Sequence, residues 1–362
     1  MPKPILFRWT QWVWPLLIGV GSAAGVLWLG ATYEVIDPIT KQTTTSLELL
    51  RGFTWTSRST WAVLAAIVCV LIRDFGYIVR LRILSFQSFS WRQSTENILL
   101  WELSSALTPS VVGGSAAAVV ILHRDGLKWG KSLATVFATA MLDEAFYLLA
   151  VPLVFGLSIW AGHPIFPAIN EDLSLLDWGL SSLFGVAYAF IASLTALMWF
   201  GLVLRPEKTH RFIQRLGASR PLERWGGRIK QWSTDLLEAS QDIRHAPRSF
   251  WIQGFAATCA SWTARFLTLN AVLLIFYPHI AHGAVLARQL VLWIVLSISP
   301  TPGSSGVAEL GLPSFLGDLT GVGYMAGVVL IWRIMTYFIY LLAGVFVLPQ
   351  WWVRTQKGNK RP

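Results

Sequence analysis

Apolar residues run along this chain in blocks long enough to cross a bilayer, and polar residues gather in short clusters between them. The runs near 12–32, 60–83, 131–160, 178–204, 250–278 and 323–349 each reach the roughly 20 residues that span the hydrocarbon as a helix. Two further apolar segments, 94–124 and 285–316, differ because Pro and Gly interrupt each in the middle. Backbone groups freed by such a break are tolerated at membrane depth only where protein or a wet cavity satisfies them. The pattern predicts an all-α polytopic membrane protein, with about six full transmembrane helices and two Pro/Gly-broken re-entrant hairpins, forming a single transmembrane domain over 1–362.

A short motif occurs twice, 193 positions apart. Thr108-Pro109-Ser110-Val111-Val112-Gly113 is echoed by Thr301-Pro302-Gly303-Ser304-Ser305-Gly306, and the same offset lays Leu103-Ser104 onto Leu296-Ser297 and Tyr147-Leu148-Leu149-Ala150 onto Tyr340-Leu341-Leu342-Ala343. This reads as an internal repeat, with a first half over about 12–160 and a second over about 178–350. Three full spans separate the two broken segments, so the hairpins enter from opposite faces and the repeat is inverted. Paired Pro/Gly-broken segments point to a binding site at the repeat interface, which favours transport.

Composition supports the membrane assignment. The chain is 54% hydrophobic and 13% charged, with 20 Trp and mean hydropathy +0.54; a soluble domain carries about 25% charged residues. Lys and Arg collect in the N-terminal segment (Lys3, Arg8), before the first hairpin (Arg80, Arg82, Arg92), after it (Arg124, Lys128, Lys131), in the 205–249 loop and in the tail. The 161–177 and 317–322 loops carry Glu171, Asp172, Asp177 and Asp318 instead, and 33–58 is mixed. The positive-inside rule then places both termini and the basic 205–249 loop in the cytoplasm. That loop is expected to form an amphipathic helix at the anionic inner leaflet. The net charge of +10 is spread over several juxtamembrane loops, which argues against nucleic-acid binding. Trp12, Trp14, Trp129, Trp160, Trp178, Trp251, Trp351 and Trp352 fall at span ends, as an aromatic belt requires. Cys69 and Cys259 fit no metal spacing or redox motif. The first apolar run follows basic residues like a signal peptide, yet it is long enough to span and reads as a retained helix, with Gly21 and Gly25 as a packing face.

The chemistry lies in charges at depth. Arg73, Asp74, Asp143, Glu144, Arg265 and Arg333 sit within spans, while Glu102 precedes the first break and Glu309 follows the second. A charge at the centre of a spanning helix costs about 2.5–3.5 kcal/mol, so these residues must face one another or a wet cavity. Structural ion pairs and a polar binding cavity are the two readings. At the breaks, Pro109 and Pro302 end one limb, and Gly113-Gly114 and Gly303/Gly306 permit the turn. The second limb then begins with free N–H groups suited to a phosphate or carboxylate. Ser110, Ser115, Ser304 and Ser305 could cap those limbs.

At these residues the chain resembles a known family. Pro302-Gly303-Ser304-Ser305-Gly306-Val307-Ala308-Glu309 resembles the Pro-Gly-Gly-x-Gly-x-x-Glu signature of the flippase-like membrane domain, the transmembrane region of lysyl-phosphatidylglycerol synthases and of free-standing homologues. Arg333 with Thr336-Tyr337 is similar to the family's Arg-x-x-Thr-Tyr stretch, and Pro109 with Gly113-Gly114 to its Pro-x-x-x-Gly-Gly turn. The resemblance runs from about residue 12 to 350. It departs at Ser304, Ser110 and Val111, which replace glycines, and at Ser115 and Ala118, where many members carry an acidic residue and an Arg. The soluble aminoacyl-transferring domain of the synthases has no place after the last span, so lipid aminoacylation is not expected.

The resemblance implies translocation of a phospholipid or modified polar lipid between leaflets of a bacterial cytoplasmic (inner) membrane. Head-group contacts are expected from Glu309, Arg333, Gly303, Ser304, Ser305 and Gly306 at the second hairpin, and from Thr108, Pro109, Gly113 and Gly114 at the first. Arg265, Tyr337, Asp143 and Glu144 complete the set; the last two fall on Thr336 and Tyr337 at the repeat offset. There is no GxxxxGK[ST] motif for ATP, no metal motif and no cofactor signal. The expected partners are membrane lipids and a separate lipid-modifying enzyme. Two other classes stay open: a membrane-embedded transferase, for which Glu34 and Asp37 are the candidates in the first loop, and a small-solute secondary transporter.

Overall fold

The computed structural model describes residues 17–358, apart from 18–19, 22–23, 26–27, 33, 37–42, 109, 168–173, 220–225 and 298. Among the described residues, five helices are long and apolar enough to cross a membrane, and they fall on five of the six spans read from the sequence. The sixth, 12–32, lies partly outside the described residues; those described within it are helical. Nothing stands within 4 Å of the place a Cβ would take on Gly21 or Gly25, so the expected packing face meets no partner among the described residues.

A two-stranded hairpin, β1 (Glu34–Ile36) against β2 (Thr43–Thr45), leads into the short helix α1 (Ser46–Arg51). The sequence, read as an undivided loop there, gave no warning of it. The long helix α2 (Ser57–Leu84) starts where the Thr56 hydroxyl accepts the Ser59 N–H. The helix α3 (Trp91–Leu107) opens on a Ser90/Gln93 capping box. It stops at Thr108, held extended because the next residue is Pro. Then come α4 (Ser110–Arg124) and α5 (Trp129–Trp160). The helix α6 (Ser174–Trp199) ends in a π turn, Phe200–Leu204.

The basic 205–249 loop forms two helices, not the expected one: α7 (Pro206–Gly217) and α8 (Gly226–Arg244). The second packs on α5, where Gly130 has no room for a Cβ against the backbone of Asp235 and Leu236. The chain continues through α9 (Arg248–Phe276), α10 (His282–Ser297), α11 (Val307–Thr320), α12 (Met325–Arg333), a second π turn (Ile334–Phe338) and α13 (Ile339–Gly358).

With α12, the π turn and α13 forming one continuous span, the order long, short, short, long therefore occurs twice, as α2–α5 and as α9–α13. The helices α2 and α9 share the most extensive interface among the described residues. They run antiparallel, since Ser59 near the start of α2 donates to the Ile275 carbonyl near the end of α9 (3.2 Å). Close approach depends on Gly76, where a Cβ would collide with the Ser261 hydroxyl and come within 2.9 Å of the Ala257 carbonyl.

The basic clusters share one end of the bundle. There Lys128 and Lys131 meet Glu238 and Asp242 of α8 (3.5 and 3.2 Å), and Arg354 meets Glu96 and Asp125 (both 2.5 Å). The open ends of α3 and α4 both lie here. The open ends of α10 and α11 lie at the opposite end, near Tyr277, whose hydroxyl donates to the Gly321 carbonyl (3.1 Å). Two charges counted in a loop, Arg80 and Arg82, lie within α2 instead, and Arg80 is buried.

Candidate functional site

The second break is built around one ion pair. Gly303 and Gly306 have φ of 54° and 85°, the left-handed region that glycine enters without penalty. Ser304 has φ 56° as well, which explains why a glycine is at home in this place. Its hydroxyl donates to the Leu296 carbonyl (2.7 Å) and so ties the turn to α10. Across the turn lies Arg333 at the end of α12. Its Nε donates to Glu309 Oε1 (2.7 Å), Nη1 to the Gly303 carbonyl (3.2 Å) and Nη2 to the Ser305 hydroxyl (2.7 Å). The other Glu309 oxygen accepts the Gly306 N–H (2.7 Å).

Glu309 thereby takes the N-terminal position of α11 that the sequence offered to a phosphate. Ser304 and Ser305 hold the turn instead of capping the limb. Tyr337 packs its ring over Gly303, where a Cβ would collide with it, and Arg333 lies 4.2 Å above the same ring. The Gly303 N–H reaches the Thr108 carbonyl (3.5 Å), so the two breaks touch.

At the first break Pro109 lies outside the described residues, as do the side chains of Ser110 and Val111. Gly113 and Gly114 do not form the turn, because α4 has already begun at Ser110. Their task is close packing of the limbs: a Cβ on Gly113 would meet Thr108 at 2.6 Å, and one on Gly114 would collide with Ser105.

A second polar cluster fills the middle of the α2–α9 crossing. Arg73, Tyr77 and Arg80 share one face of α2 at helical spacing. Arg73, with a side chain 1% exposed, pairs with Asp74 (3.1 Å) and Glu102 (3.4 Å), and the Tyr340 hydroxyl donates to Asp74 (2.9 Å). Arg80 pairs with Asp143 and donates to the Thr258 hydroxyl (3.2 Å), and Trp262 Nε1 donates to the same carboxylate (2.5 Å). Arg73 and Arg80 lie 5.7 and 5.0 Å from the Tyr77 ring, whose hydroxyl accepts a long bond from Arg265 (3.4 Å).

Arg265 is the unusual member. It is half-buried beside Trp262 and Trp293 (5.3 and 4.7 Å) and has no carboxylate within ion-pair distance among the described residues. Its two cation–π contacts, at about 0.5–2 kcal/mol each, offset much of the about 2.5–3.5 kcal/mol that a charge costs at mid-span without matching it with an opposite charge. Asp74, Glu102 and Asp143 are half-buried too, so this cluster opens to the surroundings, whereas the Glu309–Arg333 pair is closed.

The structure thus brings Glu309, Arg333, Gly303, Ser304, Ser305, Gly306, Tyr337 and Thr108 together, and puts Asp143 and Arg265 in the second cluster. Glu144, half-buried on α5, joins neither. From the sequence Arg80 was counted as a loop charge and Tyr340 only as part of the repeat, and Tyr77 and the two tryptophans were not singled out. Only the 73–77–80 spacing could have signalled them, since their partners come from distant helices. Arg288 was missed as well. Its side chain is 0% exposed and it is bound bidentately to Asp318, with Nη2 at 2.7 Å from Oδ2.

The fold and its buried charges define a multi-pass α-helical membrane protein whose polar groups meet where broken helices and crossing spans converge. More closely, the chain belongs to the family described as lysylphosphatidylglycerol synthase TM region, which matches residues 12–344. It is similar to a UPF0104 membrane protein of Archaeoglobus fulgidus, 23% identical over 310 residues that cover 80% of this chain and 88% of the relative.

Proposed function

We propose that this protein moves a polar lipid between the two leaflets of the cytoplasmic membrane, acting as a translocator and not as an enzyme. The observation that carries this reading is the half-buried cluster at the α2–α9 crossing. Arg265 lacks a carboxylate there, and Asp74 and Glu102 share the single guanidinium of Arg73. Charge at mid-span that is not paired one to one, and is reachable from outside, suits a head group that brings its own charges to membrane depth.

In the same reading α3–α4 and α10–α11 are re-entrant hairpins of an inverted repeat, supported by their openings at opposite ends and by the antiparallel α2 and α9. Such a repeat allows a site to face either side in turn. The basic end then faces the cytoplasm. Glu309 and Arg333 hold the second turn beside the path, and a separate enzyme makes or modifies the lipid carried.

The test is leaflet exchange in liposomes with dye-labelled phosphatidylglycerol, phosphatidylethanolamine or an aminoacylated lipid, read with a membrane-impermeant quencher. Wild type should expose more than the outer-leaflet half of the label. Arg265→Gln and Asp74→Asn should each slow exchange by about tenfold, the equivalent of about 1.4 kcal/mol in barrier. Absence of exchange with all three lipids would sink the proposal.

A further inference from the structure

We propose that two ion-pair latches at opposite ends of the molecule, Asp125 with Arg354 and Asp318 with Arg288, are the alternating gates of the path between them. The inference rests on the translocation reading but comes from different residues. Asp125 and Asp318 are 193 positions apart, the offset of the motif repeat. Each stands at the far end of the second limb of a broken pair: Asp125 follows α4 directly, and Asp318 lies in the last turn of α11.

Each latch also closes the mouth of its own pair. At the basic end Asp125 accepts from Asn97 in the second turn of α3 (3.0 Å), and Arg354 bridges Asp125 and Glu96 (both 2.5 Å). At the other end Arg288 of α10 grips both oxygens of Asp318 and donates to the Phe315 carbonyl of α11 (2.9 Å).

Each latch reaches across to the other half of the chain as well. The pair α3–α4 is held by Arg354 from the last span. The pair α10–α11 is held, through Arg288, to the Pro164 carbonyl after α5 (3.4 Å). Opening either mouth therefore means releasing one half from the other at that end only. The polarity is reversed between the two. At the basic end the carboxylate is buried (3% exposed) and the arginine reachable (33%). At the opposite end the arginine is buried (0%) and the carboxylate reachable (29%). Each latch has one partner that water or a passing head group can compete for, and both latches are closed in this structure.

The experiment reads access, not lipid, so the latches can fail while leaflet exchange persists, and the reverse. Ser104 in the last turn of α3 and Ser297 at the end of α10 stand at the same 193-residue offset, with hydroxyls donating to the Leu100 and Trp293 carbonyls (2.7 and 2.8 Å). In a Cys69→Ala/Cys259→Ala background, Ser104→Cys or Ser297→Cys serves as reporter for a membrane-impermeant maleimide, applied to sealed vesicles of each orientation. Asp125→Asn should raise labelling severalfold from the basic face and lower it from the other. Asp318→Asn should do the opposite. Arg354→Gln, made at the more exposed partner, should act in the same sense as Asp125→Asn. Labelling that rises from both faces, from the same face for both carboxylate variants, or from neither, overturns the proposal.

Discussion

Arg333 spends its donors on Glu309, Gly303 and Ser305, and the carboxylate it holds also binds the Gly306 N–H. A buried pair with its hydrogen bonds made is costly to break from one side, about 3–5 kcal/mol, because the survivor is left charged and dry. Glu309→Gln and Arg333→Met should each lower the thermal unfolding temperature in detergent markedly. The double variant should lose less than the two single losses added; additive losses would show that the pair is not coupled. The turn and Glu309 were legible in the sequence because the break, its glycines and the following Glu lie within eight positions, whereas Arg333, 24 residues further on, was singled out as a charge within an apolar run and by the family resemblance. Arg80 was not legible, because its partner Asp143 lies 63 residues away and a charge four residues from a helix end looks like a loop charge. Asp125, outside the spanning segments, shows a further effect invisible to sequence: burial holds its carboxyl pKa above the ordinary carboxylate range, Arg354 and Asn97 opposing this only in part and Glu96 adding to it.

Helix boundaries follow local chemistry, and that is why most of them could be read. The apolar runs gave five long helices, four of them to within a few residues, while the last runs on to Gly358, past the expected 349, and Pro and Gly marked both breaks. Packing was harder to foresee. Gly113 and Gly114 looked like turn formers but serve the contact between α3 and α4. The 205–249 segment folds as two helices, the first ending at Gly217, and the second docks on α5 at Gly130, a contact between residues about a hundred positions apart. The α2–α9 crossing depends on Gly76 in the same manner. Gly76→Val should destabilise the protein by about 1–3 kcal/mol through overpacking and displace the clusters on either side. Gly156→Ala, where nothing lies within 4 Å, should be close to neutral. Equal effects of the two in a thermal unfolding series would refute the role given to the crossing.

Across the whole molecule, the two sets of elements α2–α5 and α9–α13 meet through α2 and α9, and their broken pairs open to opposite ends. Single cysteines at two exposed positions check this arrangement in a bilayer. Lys128→Cys at the basic end and Val322→Cys at the other, in the background without Cys69 and Cys259, should react with an impermeant reagent from opposite faces. Reaction from one face would contradict the topology. The cluster at the α2–α9 crossing was beyond sequence reasoning, since it depends on which distant segments become neighbours; the β1–β2 hairpin is local, but its strands of three residues each are too short to show an alternating pattern. One local irregularity has a reach of its own. Between Arg333, fixed to the turn, and Tyr340, fixed to Asp74, the last span is wound as a π turn over Ile334–Phe338, one residue more than an α-helix needs. The span carries slack, like a chain with a spare link. Removing Met335 should take up that link and leave Tyr340 and Arg354 facing their partners. Removing Val345 from the regular helix beyond should swing Arg354 round by about 100° and unfasten it from Asp125. Comparing the folded yield of the two deletions would show whether the slack is real.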